Sequence, residues 1–284
     1  VRARRRVATP GGDYAATIAV IATLVGAIER EIGVAAPVGI GIPGTVVAHT
    51  GRVKNANSTW LIGRSLPRDV EAALGRPVRF ANDANCFALS EAVDGAAAGF
   101  ATVFGVILGT GVGGGIAVNG QVLVGANGIA GEWGHNPLPW PQPEEWPGPS
   151  CYCGRSGCIE TFLSGPGLAA DHRNRHGGAL GAPEIAARAA AGDPECRATL
   201  DRYTERLARA LAAIINVVDP DAIVLGGGLS AVAPLYREVP RLWGRHVFSD
   251  IVATRLLPPA HGDASGVRGA ARLWRPEEAA EAAG

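Results

Sequence analysis

In the N-terminal third of the chain, one segment has apolar residues at helical spacing, and the segments around it are short apolar runs typical of strands. Residues 14 to 32 are predicted to form a helix, and Asp13 stands where its cap would be. The helical pattern is carried by Ile18, Ile21, Leu24, Val25 and Ile28. Three segments read as strands: the opening VRARRRVATP, PVGIGIPG and PVRFAND. The order of strand, helix and strand predicts parallel pairing.

Further elements alternate in the same way. VVAHTGRVKNA is typical of a hairpin, and a short helix is predicted from Ser65 to Leu74. ATVFGVILGTG reads as a strand that enters a glycine cluster, and Asn119-Gly120 predicts a tight turn between two further strands. A long amphipathic helix from about Ala198 to Val218 precedes the strand in DAIVLGGGLS and another helix. The pattern predicts two α/β lobes with a cleft between them.

Composition narrows the function only slightly. The 284 residues are 47% hydrophobic and 18% charged, with a formal net charge of zero, so nucleic acid and anionic membranes are not expected as partners. A run of about 18 apolar residues, as a membrane span needs, does not occur. The cytoplasm is the expected location, and reduced cysteines agree with it.

Four metal-binding side chains cluster in GEWGHNPLPW and CYCGRSGCIE. They are His135, Cys151, Cys153 and Cys158. Thiolate and imidazole are ligands that zinc prefers, and four protein ligands leave no position for a reactive water, so a structural Zn²⁺ is predicted. Unrelated thiols, or one disulfide and a spare thiol, are the alternatives. Glu132 and Glu160 flank the ligands, where a folded loop would hold both carboxylates ready for the hydroxyls of a polyol.

Asp83 is the candidate general base. It follows a predicted strand and lies between Asn82 and Asn85, at a strand end where ligands collect in α/β sheets. There a carboxylate could take the proton of a hydroxyl that attacks a phosphoryl group. An Asx turn or a helix cap is the alternative. The glycine turns GTGVGGG and GGGLS could cradle phosphate with backbone N–H groups, although a tight hairpin would explain the first equally well.

The motifs GIGIPG, ANDAN, LGTGVGGG, GEWGH with CYCGRSGCIE, and VLGGGLS, in this order, resemble the ROK family of bacterial sugar kinases and sugar-responsive repressors. The resemblance implies an actin-like, hexokinase-type fold (ribonuclease H-like) in which ATP, Mg²⁺ and sugar meet in the cleft. It implies Asp83 as catalytic base and, as sugar ligands, Asn57, Asn82, Glu132, His135 and Glu160, with one nitrogen of His135 on zinc and the other on sugar. The phosphate side would be Gly109, Thr110, Gly111 and Gly113, and the adenosine side Gly226, Gly227 and Gly228.

Within the family, the loop motifs look most like fructokinases, so fructose is the expected substrate. N-acetylglucosamine, glucose and mannose stay open. A sugar-sensing repressor is the runner-up and would need a helix-turn-helix ahead of the body, while a zinc-stabilised binding protein without activity is a third reading. A homodimer is expected.

The resemblance also predicts how the chain is organised. Residues 1–98, with a C-terminal helix at 265–284, would form the N-terminal lobe, and residues 99–264 the C-terminal lobe with the zinc loop. The family's first strand pair, with its DxGGT-type phosphate loop, is not in this sequence. The natural protein is therefore expected to begin upstream, and these residues alone are expected to be a weakly active form.

Overall fold

The computed structural model describes residues 1–275 and 277–279, apart from the side chain of Asp263. The first ten residues form no strand, so the predicted opening strand is wrong for this chain. A strand needs a neighbouring backbone to pair with, and the described residues offer this segment none. This segment contacts the helix that follows it through an ion pair between Arg5 and Glu31, at 2.7 Å.

Helix α1 (Tyr14–Ile32) follows as predicted. The Asp13 carboxylate accepts a hydrogen bond from Ala16 N at 2.9 Å and caps the helix. The helix ends at Gly33, whose φ of 71° is the left-handed conformation that favours glycine.

A small N-terminal core lies beside α1. Its elements are β1 (Val38–Ile42), β2 (Thr45–Val46), β3 (Val53–Lys54), α2 (Leu66–Leu74) and β4 (Val78–Asn82). Strands β1 and β4 pair in parallel, and β2 with β3 forms the predicted hairpin. Buried apolar side chains of these elements, including Ile42, Val53, Leu66 and Val70, form the core.

A second sheet has five strands. After α3 (Asp83–Val93) come β5 (Thr102–Leu108), β6 (Val112–Val118) and β7 (Gln121–Val122). The sheet is completed by β8 (Ala222–Gly226) and β9 (Arg255–Leu257), in the order β7-β6-β5-β8-β9. Strand β5 is antiparallel to β6 and parallel to β8. The β6–β7 turn is Asn119-Gly120, with φ of 49° and 71°, the two left-handed residues that a type I′ hairpin needs.

The remaining helices cover this sheet and the core beside it. They are α4 (Ile159–Leu163), α5 (Gly165–His176), α6 (Ala182–Ala190), α7 (Pro194–Val218), α8 (Leu235–Trp243) and α9 (Ser265–Ala271). Helix α7 begins earlier than predicted because the Asp193 side chain caps it and Pro194 occupies its first turn. Among the described residues, none of the helices is both long and apolar enough to span a membrane.

The C-terminal helix is shorter than the predicted 265–284. Helix α9 ends at Ala271 because tertiary contacts draw the next residues out of the helix: Arg79 donates to Leu273 O at 2.6 Å, and the Trp274 indole donates to Val38 O at 2.9 Å. Residues 277–279 are helical again, and residues 280–284 lie outside the described part.

Helix α9 contacts both β1 and α3 through glycine. A Cβ on Gly39 of β1 would lie 1.8 Å from Ala270 O, and a Cβ on Gly269 would lie 1.6 Å from Cys86 O. The backbones therefore meet directly, with no side chain between them. The C-terminal helix thus lies against elements of the first 98 residues, although the division into lobes stays a prediction.

Buried Glu91 joins three segments at the same place. One carboxylate oxygen accepts from Ala96 N at 2.8 Å and from Ala260 N at 3.0 Å, and the other accepts from the Ser265 hydroxyl at 2.7 Å. Helix α3, the segment after β9 and the start of α9 therefore share the hydrogen bonds of one fully buried carboxyl group.

Candidate functional site

Asn82 and Asp83 stand where β4 passes into α3. The Asn82 side chain accepts from Ala84 N at 2.9 Å, which caps the helix, and donates to Gly44 O at 2.9 Å. Asp83 is the first helical residue, and one of its carboxylate oxygens also accepts from Ala84 N, at 2.8 Å. Asn82 thus serves as the cap, and the Asp83 carboxylate retains solvent access.

Three carboxylates share this part of the cleft. Although Asp83 keeps solvent access, the surrounding protein mass withdraws it from bulk water and raises its pKa. The pKa of Glu132 is also raised, first by burial and then by the negative charges of Asp83 and Glu160, while His135 acts in the opposite direction. Glu132 is therefore close enough to Asp83 and to Glu160 to sense the charge of each.

Glu160 connects the β5–β6 turn to the segment 132–160, which carries the four predicted metal ligands and is here called the metal loop. Its carboxylate accepts from Val112 N at 2.9 Å, and its own backbone N–H donates to Gly134 O at 2.8 Å. A Cβ on Gly111 would lie 2.6 Å from the same carboxylate. Glycine at 111 therefore makes room for Glu160.

The four predicted metal ligands lie together. The ligand atoms of His135, Cys151, Cys153 and Cys158 are all within 4.8 Å of one another. The two sulfurs of Cys153 and Cys158 are 3.6 Å apart, and Cys151 Sγ is 3.5 Å from His135 Nδ1. In a tetrahedron around zinc these edges would be about 3.8 Å and about 3.6 Å. The donor set can therefore hold a tetrahedral metal ion of the size of Zn²⁺.

Tyr152 is a site residue that the sequence analysis did not identify. Its hydroxyl lies 3.0 Å from His135 Nε2, the ring nitrogen that does not contact Cys151, and the two rings meet edge to face with centroids 5.1 Å apart. The sequence feature that could have identified Tyr152 is its position between Cys151 and Cys153 in CYC. A loop that gathers those two cysteines with His135 also brings the tyrosine close to the histidine.

A buried ionic cluster anchors the proline-rich part of the metal loop on α7. Arg209 is fully buried and donates to both oxygens of Glu145, at 2.9 and 2.8 Å, and to Trp140 O at 2.6 Å. Arg206 donates to the same Glu145 at 2.7 Å. The sequence analysis missed this anchor. Two arginines at three-residue spacing on the amphipathic α7 were the available signal.

The β5–β6 turn also borders a cavity of about 1430 Å³. Gly109, Thr110 and Gly228 line it, together with mainly small apolar side chains of α6 and of the segment before α8. A Cβ on Gly109 or Gly228 would meet nothing within 4 Å. These two predicted phosphate- and adenosine-side glycines therefore face open space.

The other predicted glycines are packed against protein. A Cβ on Gly226 would lie 2.7 Å from the Phe87 ring, and one on Gly227, at φ 79°, would lie 2.4 Å from Leu108 O. A Cβ on Gly113, within β6, would lie 3.4 Å from Ala84 Cβ. Close packing explains glycine at 226 and 227 without any ligand.

Asn57 and Asn85 are placed differently from one another. Asn57 is exposed in the segment after β3, next to Ala56, whose backbone crowds Gly44. Gly44 in turn accepts from Asn82. Asn85 is buried inside α3, and its side-chain oxygen has no hydrogen-bond partner among the described residues.

Asp83 stands at a strand end with two further carboxylates nearby, and a cavity lies on the other side of a glycine turn. The fold around them is the actin-like, hexokinase-type fold of an ATP-dependent sugar kinase. The model of the ROK family matches residues 1–277, and the chain belongs to that family. It is 42% identical over 275 residues, 95% of this chain and 91% of the other, to an N-acetyl-D-glucosamine kinase of Photobacterium profundum.

Solved structures agree in fold. A ROK hexokinase from Thermus thermophilus superposes with a TM-score of 0.81 at 31% identity, covering 94% of this chain and 88% of the other. A ROK family glucokinase from Streptomyces griseus, in complex with glucose and AMPPNP, gives a TM-score of 0.76 at 28% identity, covering 94% and 89%.

Proposed function

We propose that this protein transfers the γ-phosphoryl group of ATP to a hydroxyl of N-acetylglucosamine, with Asp83 as general base. The observation that carries the proposal is the grouping of Asp83, Glu132 and Glu160 beside the β5–β6 turn, whose other side borders the cavity. The named kinase relative, at 42% identity over nearly the whole chain, supports the choice of sugar.

In the reaction, the sugar hydroxyl oxygen attacks the γ-phosphorus of ATP. As the new P–O bond forms, the hydroxyl proton passes to an oxygen of Asp83, and the bond from the γ-phosphorus to the bridging oxygen of ADP breaks. The products are a sugar phosphate and ADP, and Asp83 afterwards loses the proton to water. The raised pKa of Asp83 makes it a better proton acceptor than an ordinary carboxylate.

The sugar would be held from both sides of the cleft. Glu132, Glu160 and His135 would take hydroxyls on one side, and Asn82 and Asn57 on the other. A hydroxyl that reaches His135 Nε2 must share that nitrogen with Tyr152 or replace the tyrosine. Orientation by several polar groups is the main requirement for transfer, because phosphoryl transfer needs little covalent help.

The nucleotide would lie in the 1430 Å³ cavity. Gly109, Thr110 and Gly228 line that cavity, so the β5–β6 turn would face the phosphates and the small apolar side chains the adenosine. Gly111 lies in the same turn, and Gly113 follows in β6, where it packs against Ala84, the residue after Asp83. Mg²⁺ would neutralise the phosphate charges.

We further propose that the Cys₃His cluster holds a structural Zn²⁺. Two of the ligand spacings are close to the edges of a zinc tetrahedron, and all four ligand atoms lie within 4.8 Å of one another, which supports the metal. Four protein ligands leave no open position for chemistry. Zinc would fold the segment between Glu132 and Glu160 and so fix the distance between the two carboxylates. A homodimer and a cytoplasmic location, where thiolates stay reduced, complete the proposal.

The expectation of fructose is not supported by the relatives, whereas N-acetylglucosamine was among the alternatives that the sequence left open. A coupled assay of ADP release decides between them. The purified, zinc-replete protein with ATP and Mg²⁺ should show a kcat/KM for N-acetylglucosamine at least tenfold above those for fructose, glucose and mannose. Preference for any of the other three would overturn the sugar. No turnover with any of the four, together with no calorimetric binding of any of them, would overturn the proposed function.

A further inference from the structure

The single lysine of this sequence bridges two segments that are distant along the chain. Lys54, at the end of β3, donates through its ammonium to the backbone oxygen of Asn127 at 3.0 Å, across 73 residues of sequence. Among the described residues, no carboxylate lies within ion-pair distance of it. Within the described part of the protein, Asn127 O is therefore the hydrogen-bond partner of this ammonium.

A second contact joins the same two segments. A Cβ on Gly128 would lie 3.4 Å from Thr45 Oγ1 and 3.6 Å from Val46 O, both in the β2–β3 hairpin. The segment 123–131, here called the rim loop, has its own fold, because Ala130 N donates to Val124 O at 3.2 Å. A formed loop therefore lies on the hairpin, and Lys54 fastens it there.

Each of the joined segments leads to a candidate sugar ligand. Asn57 follows Lys54 three residues later, and Glu132 follows Asn127 five residues later. We propose that Lys54 is a positioning residue: its bond to Asn127 holds the hairpin against the rim loop and thereby sets the spacing between Asn57 and Glu132 across the sugar. This inference rests on the proposed function.

The bond and the sugar are then linked. If sugar binds only when hairpin and rim loop are joined, its apparent dissociation constant is the intrinsic one divided by the joined fraction. By reciprocity, bound sugar raises the joined fraction by the same factor. A hydrogen bond from an ammonium stabilises the joined state, and because this bond is exposed, the two segments can still separate.

Three variants separate this role from a general effect on folding. Lys54→Met keeps the length of the side chain and removes the donor, and Lys54→Arg keeps a cationic donor. Arg52→Met is the matched control, because the Arg52 guanidinium donates to Gly63 O at 2.9 Å, which lies outside the rim loop.

We expect Lys54→Met to raise the KM and the calorimetric Kd for N-acetylglucosamine roughly fivefold, the scale of one such hydrogen bond, while kcat changes less than twofold. Lys54→Arg should recover most of the affinity, and Arg52→Met should match the wild type. Unfolding midpoints should agree across the set. Unchanged affinity in Lys54→Met, or equal losses in Lys54→Met and Arg52→Met, would overturn the positioning role.

Two measurements do not depend on turnover. Amide hydrogen exchange of the rim loop should be at least threefold faster in Lys54→Met than in the wild type without any sugar, and equal rates would overturn the bridge itself. With sugar present, labelling of Lys54 by an amine-reactive reagent, followed by peptide mass, should slow. If the wild type binds none of the four sugars, the proposed function fails, and the exchange rates still decide whether Lys54 holds the rim loop.

Discussion

At the scale of single residues, Asn82 and Asp83 show what a motif can and cannot tell. From the sequence, Asp83 could be either a general base or a helix cap at this strand end. In the structure the cap is Asn82, and Asp83 is the exposed first residue of the helix. Side-chain direction at a strand-to-helix junction depends on backbone angles, so spacing alone could not assign the two functions.

Asp83→Asn should retain sugar binding and lose about 10²-fold or more in kcat, the scale of a general base. The amide keeps the size and the hydrogen bond with Ala84 N but cannot take a proton. Steady-state kinetics and calorimetry on the same preparation measure both quantities. Wild-type turnover in this variant would show that another group accepts the proton.

The raised pKa of Asp83 predicts the pH profile. A base must be ionised to act, so kcat/KM should fall as the pH drops through the pKa of Asp83. Because burial raises that pKa, the acid limb should lie above the ordinary aspartate value of about 3.9. A profile that stays flat down to pH of about 4 would contradict the assignment.

Contacts made by exposed side chains escaped prediction. Nothing in the spacing of the chain pairs Lys54 with Asn127, because the contact exists only after two separate segments have folded against each other. Tyr152 lies next to two predicted ligands, yet its position against His135 depends on the irregular path of the loop.

At the scale of elements, regular structure was well predicted and the ends less so. Helix α1, the hairpins and the sheet strands carry clear periodicity and strong turn residues, and they form where expected. The metal loop was predicted as a cluster of ligands, but its anchor on α7 was not. Buried ion pairs such as Arg209 with Glu145 bridge 64 residues of sequence and leave no local pattern.

Cys153→Ala should release the metal and destabilise the protein by several kcal/mol, because binding of a structural metal contributes directly to folding. Cys196→Ala is the matched control, since Cys196 is buried on α7 outside the cluster. We expect about one equivalent of zinc by elemental analysis in the wild type and the control, and much less in Cys153→Ala. Soluble, folded wild-type protein without zinc would refute the site.

At the scale of the whole molecule, α9 packs against β1 and α3, which lie far earlier in the chain. Glu91 is the hydrogen-bond acceptor shared by the segments that meet there, and this contact region is here called the joint. Glu91→Gln removes the charge and leaves one neutral acceptor oxygen for the three donors of Ala96, Ala260 and Ser265. We expect a loss of about 1–3 kcal/mol in the free energy of unfolding, measured with denaturant. Glu184→Gln, in an exposed pair with Arg188, should cost less than about 1 kcal/mol. Equal effects would mean that Glu91 adds nothing to the joint.

The contacts of Gly39 and Gly269 restrict how this protein can evolve. At these two positions even one added methyl group would overlap a neighbouring carbonyl oxygen, so neither tolerates gradual change in size. Side chains such as those of Tyr152 and Asn57 are exposed, so a change in their size meets no such backbone contact. Adaptation to a new sugar is therefore open to exposed positions such as Tyr152, whereas any substitution at Gly39 or Gly269 must first move a backbone.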